Sequence, residues 1–150
     1  MYAANLRARP VESLRLQLIG LQNVVAPDRR GPTELAIPEV RMLLSGLRRL
    51  IVTARGDSMY VYASIALRML ERLEPFERAD QMPLSQSEAA LRWIHASQRY
   101  LQNPHDRACA VDLVEQLAAN PTESGSGDME IDGLLFDLLQ ERNIEDRSGS

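Results

Sequence analysis

Few residues of this chain are of a type that performs acid–base, nucleophilic or metal chemistry. The sequence contains two histidines, His95 and His105, and a single cysteine, Cys109. His105 and Cys109 are four residues apart, so one helical turn could direct both side chains at one metal ion. A protein zinc site needs three or four ligands, however, and this pair supplies two. We therefore predict no metal site and no cofactor, and we expect Cys109 to be a small buried apolar side chain.

The other candidates for catalysis lack partners in the sequence. A general base needs a second group placed beside it, and none is evident for His95, which we interpret as a residue at the edge of the core. Residues 56–58, Gly-Asp-Ser, resemble the start of the GDSL hydrolase motif, in which the serine follows a strand. Here the context is helical, Met59 replaces the leucine, and no D-x-x-H pattern lies near the C-terminus. We therefore predict a turn, with Asp57 or Ser58 capping the next helix, no catalytic residue and no enzymatic activity.

Arginines form the clearest polar pattern. Arg41, Arg48 and Arg55 are seven residues apart and therefore share one helix face, with Arg49 beside them. Such a face is often simply solvated, but it could also bind phosphates or an acidic helix of a protein partner. The net charge is −4, and residues 61–150 carry sixteen acids against eight arginines. This balance favours a protein partner and makes nucleic acid unlikely.

Apolar residues recur at helical spacing along most of the chain, and no segment shows the strict alternation of a strand. We predict an all-α fold, a bundle of about five helices without a sheet, in which Pro10 and Pro38 lie in first turns. Ser85 and Glu88 have the spacing of a capping box. The predicted helices cover residues 11–25, 38–55, about 58–73, 85–102 and about 106–119. The predicted core includes Leu43, Leu47, Leu50, Ile65, Met69, Trp93, Ile94 and Val114. Gly46, within the second helix, predicts a close approach of another helix.

A different organisation begins after residue 119. Residues 120–128 are rich in Ser and Gly and form a predicted flexible linker. Residues 129–142, which we call the C-terminal helix, have an apolar side with acids around it, and a frayed tail completes the segment 129–150. A helix of this length is marginal alone in water, so its apolar side needs a surface to cover it. The predicted contact residues are Ile131, Leu134, Leu135 and Leu138.

The tethered helix indicates a function. We expect a non-catalytic protein–protein interaction module, an adaptor, regulator or chaperone-type protein acting through helix-in-groove contacts. The partner would be another protein or a second copy of the chain, giving a homo- or hetero-oligomer. Alternatives are a nucleic-acid-binding regulator using Arg41, Arg48 and Arg55, a structural subunit of a larger assembly, or a helical enzyme with a scattered site. One cysteine, no signal peptide and no run of about 18–20 apolar residues predict a cytoplasmic protein without a membrane span.

Overall fold

The structure of the chain is a computed structural model, and it describes residues 2–27, 31–79, 81–103, 106–118, 133 and 135–140. Side chains are described from residue 12 onward, except that of residue 118. The five α-helices that precede the C-terminal segment are α1 (Tyr2–Val25), α2 (Ile37–Gly56), α3 (Tyr60–Leu73), α4 (Leu84–Gln102) and α5 (Arg107–Ala118). Residues 135–140 are also helical. The all-α bundle predicted from the sequence is therefore confirmed.

The bundle is built from helix pairs that are adjacent in the chain. α1 packs along α2, α2 along α3 and α4 along α5. α1 also packs along α4, and this contact joins the first three helices to the last two. All eight predicted core residues are buried. They belong to one apolar cluster that draws on every one of the five helices. Among the described residues no helix is both long and apolar enough to cross a membrane.

The prediction that no sheet is present is wrong at one point. Leu35–Ala36 (β1) and Gln81–Met82 (β2) form a short antiparallel ladder, with Leu35 opposite Met82. Both of these facing side chains are buried. Two residues per strand are too few to produce a visible alternation in the sequence, and the ladder joins the segments that precede α2 and α4.

Helix starts also differ from the predictions. α1 begins at Tyr2 and runs through Pro10. A proline inside a helix removes one hydrogen bond, and the Ala-, Leu- and Arg-rich residues before it are strong helix formers. The capping box at Ser85 is absent, because α4 starts at Leu84 with Pro83 as its N-cap and without a side-chain cap. The carbonyl of Pro83 instead accepts hydrogen bonds from the N–H groups of Gln86 and Ser87. In α5, Leu113 is buried and Val111 is half-buried.

The close approach predicted at Gly46 is confirmed. A Cβ atom added to Gly46 would overlap Cδ2 of Leu21, a buried residue of α1. The glycine therefore lets α1 and α2 pack with no side chain between the Leu21 methyl group and the α2 backbone. The two helices are also joined by a hydrogen bond, which Gln17 Nε2 donates to Thr53 Oγ1 at 2.9 Å.

Candidate functional site

The C-terminal helix contacts the bundle through Leu138. This side chain is 0% exposed and belongs to the main apolar cluster of the domain. Leu135 and Leu139 are half-buried and pack against the same cluster. Two of the four predicted contact residues, Leu135 and Leu138, are thus placed on the domain. The other two, Ile131 and Leu134, lie outside the described residues, as does the predicted linker 120–128.

The opposite side of the same helix is exposed. Gly133, Phe136, Asp137 and Gln140 are all exposed, and they follow the spacing i, i+3, i+4, i+7 of one helix face. Phe136 is 63% exposed, although it is the largest apolar side chain of this segment. Sequence reasoning did not select Phe136, because it lies off the leucine stripe. The signal that could have found it is an aromatic residue on the polar side of an amphipathic helix.

The three predicted arginines lie on the solvent side of α2, as their spacing indicates. Arg41, Arg48 and Arg55 are all exposed. Arg41 Nε lies 4.0 Å from Glu77 Oε1, and within the described residues neither Arg48 nor Arg55 forms an ion pair. No described hydrogen bond or ion pair joins any of the three to residues 135–140.

The turn at residues 56–58 is a helix C-cap and not a nucleophile site. Ser58 has a φ of 63°, the left-handed conformation typical of the residue after a helix C-cap. The N–H of Met59 bonds to Ala54 O at 2.8 Å, and the N–H of Ser58 bonds to Arg55 O at 3.1 Å. These two bonds define a Schellman motif. The expected N-cap at Asp57 or Ser58 is therefore wrong: Met59 occupies that position, without a side-chain cap.

Cys109 is half-buried on α5 and packs against the apolar cluster. Burial raises the pKa of its thiol, and the charge of the neighbouring Asp106 raises it further. The thiol is therefore the stable form near neutral pH, whereas a nucleophile or metal ligand must be a thiolate. His105, the other half of the predicted pair, lies outside the described residues. Among the residues that the structure covers, no three His, Cys, Asp or Glu side chains come together as a metal site.

His95 is half-buried, as expected for the edge of the core. It lines a groove of about 360 Å³ between the end of α1 and α4, together with Gln22, Asn23 and Leu91. Beside this groove Gln98 Nε2 donates a hydrogen bond to Gln22 Oε1 at 3.0 Å. None of the lining residues that the structure describes is an acid or a nucleophile, so the described lining lacks the second group that general-base catalysis by His95 would need.

Three aromatic side chains form a stack in the centre of the bundle. The ring of Tyr62 lies 6.4 Å from that of Trp93 and 6.1 Å from that of Tyr100, with interplanar angles of 16° and 9°. All three are fully buried. Burial raises the pKa of Tyr62. The three rings are inaccessible from outside the domain, and we assign the stack to side-chain packing between α3 and α4.

No protein-family model matches the chain, and neither a curated protein nor a solved structure is similar to it. The exposed arginines of α2 and the C-terminal helix are therefore the two candidate functional surfaces of the described residues.

Proposed function

We propose that this protein is a non-catalytic protein–protein interaction module whose domain accepts an amphipathic helix along an apolar surface. The single observation that supports this proposal is the complete burial of Leu138 in the domain cluster. Leu138 belongs to a segment that follows a Ser/Gly-rich stretch. A surface that covers one leucine-rich helix can cover a similar helix of another protein, which is the helix-in-groove mode of recognition.

The energetics of the contact suit exchange between helices. Burial of one leucine side chain contributes about 1.5–3 kcal/mol, and Leu135 and Leu139 are only half-buried. A short helix gains little stability of its own in water. The chain's own helix is nevertheless favoured, because its covalent attachment to the domain keeps it at an effective concentration of about a millimolar. A partner helix with more apolar contacts can therefore displace it and be recognised by doing so.

This mechanism fits an adaptor, a regulator or a chaperone-type protein that forms a homo- or hetero-oligomer with its partner. We place its action in the cytoplasm, since a single cysteine offers no intramolecular disulfide and suits a reducing compartment. The partner class is an amphipathic helix with leucines on one side and acids on the others. That is the chemistry of the chain's own residues 129–142.

A labelled peptide of residues 129–142 provides the test. The Leu138→Asp protein should bind this peptide more tightly than the unmodified protein, because its own helix no longer covers the surface. The gain should be about tenfold if that helix covers the surface about nine-tenths of the time. Gln140→Asp, an exposed position on the same helix, is the matched control and should bind the peptide as the unmodified protein does.

A second peptide that carries the Leu138→Asp change should not bind either protein. The proposal is wrong if the Leu138→Asp protein is folded, as judged by its circular dichroism and melting temperature, and still does not bind the unmodified peptide.

One observation favours a second candidate function. The exposed side of α2 carries Arg48 and Arg55 without ion pairs among the described residues, and such cations bind phosphates. A nucleic-acid-binding regulator would be retained on DNA at low salt, and Arg48→Glu would reduce that retention. The net charge of −4 opposes this alternative.

A further inference from the structure

The outer side of α2 combines positive charge with exposed apolar side chains. We call this surface the α2 basic face, and it consists of Arg41, Met42, Arg48, Arg49, Val52 and Arg55. All six residues are exposed, with Met42 at 59% and Val52 at 69%. Of these six residues, only Arg41 has an ion-pair partner among the described residues. The face itself contains no acid.

Helix α1 extends the apolar part of this surface. Gln17 of α1 donates a hydrogen bond to Thr53 of α2, and these two residues adjoin Leu16 and Val52 in the chain. Leu16 is itself exposed. The arginines are therefore accompanied by exposed apolar side chains on both helices. A partner that offered only charged groups would leave these apolar side chains in contact with water.

Charge restricts what can cover the α2 basic face. Two copies of this face cannot cover each other, since like charges placed together across an interface cost several kcal/mol. A phosphate backbone would satisfy the arginines but not Met42 and Val52. The complementary surface must present at least one acid and one large apolar side chain on the same side of an element.

The exposed side of the C-terminal helix has this composition. Phe136 and Asp137 are both exposed and lie side by side on the face that points away from the buried Leu138. The two surfaces occur on the same polypeptide, so each copy can offer one and receive the other.

We propose that two copies of the chain associate reciprocally, with the exposed side of each C-terminal helix on the α2 basic face of the other copy. Phe136 contacts Val52 of the second copy, and Asp137 pairs with Arg48 or Arg49, which lie one helical turn from Val52. A twofold axis repeats the contact, so that the assembly closes as a dimer. Because the contact is made twice, the dimer buries twice the area of a single contact, and a larger buried area favours a stable interface.

This inference goes beyond the proposed function, because it uses the opposite side of the C-terminal helix and does not require the domain to accept a helix of another protein. Its outcome is therefore independent of whether the peptide 129–142 binds the Leu138→Asp protein.

Sedimentation equilibrium of the full chain at low and high salt tests the dimer. Phe136→Ser should raise the dissociation constant about tenfold or more, which corresponds to about 1.4 kcal/mol. Tyr60→Ser, at an exposed aromatic residue of α3, is the matched control and should leave it unchanged. Asp137→Arg and Arg48→Glu should each weaken the dimer, more at low salt than at high salt.

The double variant Asp137→Arg/Arg48→Glu is the decisive sample, because it restores opposite charges across the contact. It should dimerise more tightly than either single variant, whereas Arg92→Glu on α4 should change nothing. Melting temperatures verify that each variant is folded, which is expected because every substituted residue is exposed.

Three results would overturn the inference. The first is an unmodified protein that stays monomeric at millimolar concentration. The second is a dimer that Leu138→Asp dissociates and Phe136→Ser does not, which would indicate exchange of the C-terminal helices between domains. The third is an Arg48→Glu protein that loses retention on DNA while it dimerises normally.

Discussion

Leu21 of α1 rests directly on the backbone of Gly46 in α2. A Cβ atom on Gly46 would overlap Leu21 Cδ2 and would lie 3.4 Å from Leu21 Cγ. Leu21 is buried, so any shift of its methyl group has to be accommodated by the side chains packed around it. The first prediction follows from this contact.

Gly46→Ala should destabilise the protein, although the same change in an open helix stabilises it by about 1 kcal/mol. Overpacking of a buried contact costs about 1–3 kcal/mol, so we expect a lower free energy of unfolding in urea. Gly20→Ala on α1 is the matched control, since a Cβ there meets nothing within 4 Å, and it should raise stability. If Gly46→Ala is as stabilising as Gly20→Ala, α1 and α2 do not approach each other as closely as the Leu21–Gly46 contact indicates.

Ser58→Gly should stabilise the turn between α2 and α3. Ser58 holds a φ of 63°, a conformation that costs a residue with a Cβ about 1–2 kcal/mol and that glycine adopts freely. Part of this gain is lost because glycine is more flexible in the unfolded chain. We expect a net increase of about 0.5–1 kcal/mol, measured by thermal or urea unfolding. Ser45→Gly, in the exposed middle of α2, should instead lower stability, and equal effects at both positions would contradict the Schellman motif.

The ion pair between α4 and α5 predicts a dependence of stability on pH. The hydrogen bond from Arg99 lowers the pKa of Asp112, and a bond from Gln116 adds to this effect. A carboxyl with a lower pKa in the folded state stabilises the protein above its unfolded pKa of about 3.9. That contribution is lost as the pH falls through the folded pKa.

Asp112→Asn should therefore reduce the free energy of unfolding at pH 7, and the difference from the unmodified protein should shrink below about pH 4. The loss should not exceed about 1 kcal/mol, because both side chains of the pair are partly exposed. Glu115→Gln, an exposed neighbour, is the control and should show no such convergence. A difference between Asp112→Asn and the unmodified protein that persists at pH 2 would show that the effect is not electrostatic.

The thiol of Cys109 should react slowly with alkylating reagents. Since burial and then Asp106 raise its pKa, the reaction rate with iodoacetamide should still increase above the ordinary cysteine pKa of about 8.5. Asp106→Asn should accelerate the reaction at fixed pH by removing the nearby charge. Asparagine should preserve the cap of α5, in which Asp106 Oδ1 accepts the N–H of Ala108 at 2.9 Å. An alkylation rate that stops increasing near neutral pH would contradict the raised pKa of the Cys109 thiol.

The parts of the fold that the sequence predicted are those that repeat along a helix. Leu43, Leu47 and Leu50 recur with the period of α2, so their burial follows from spacing alone. The close approach at Gly46 was predicted for a different reason: a glycine inside a helix lowers stability, and close packing of another helix would explain its presence.

The helix ends were predicted poorly, because different residues can satisfy the same backbone groups. Ser85 has the side chain of a cap, yet the Pro83 carbonyl accepts the first bonds of α4. Asp57 is equally suited to start a helix, yet it terminates α2. Local sequence offers several hydrogen-bonding solutions at such positions, and the packing of the helices decides between them.

The leucine stripe in the sequence selected Leu138 as a contact residue, and its role in binding a partner stays a prediction. The structure shows that Leu138 is buried. The sequence did not reveal that the domain of the same chain covers this leucine, because the composition of residues 120–128 predicts a linker that would permit contact with any copy. It also did not single out Phe136, whose exposure becomes meaningful only once the opposite side of the helix is seen to be covered.

The short ladder between β1 and β2 has a consequence for the order in which the molecule folds. Because Leu35 faces Met82, the ladder closes a loop that contains the whole of α2 and α3, and closing a long loop has an entropic cost. Preformed packing of α2 on α3 shortens the distance between the two ends, so the ladder should form after that helical hairpin. The buried methyl group of Met82 is therefore a natural NMR reporter of the last step in closing this half of the bundle.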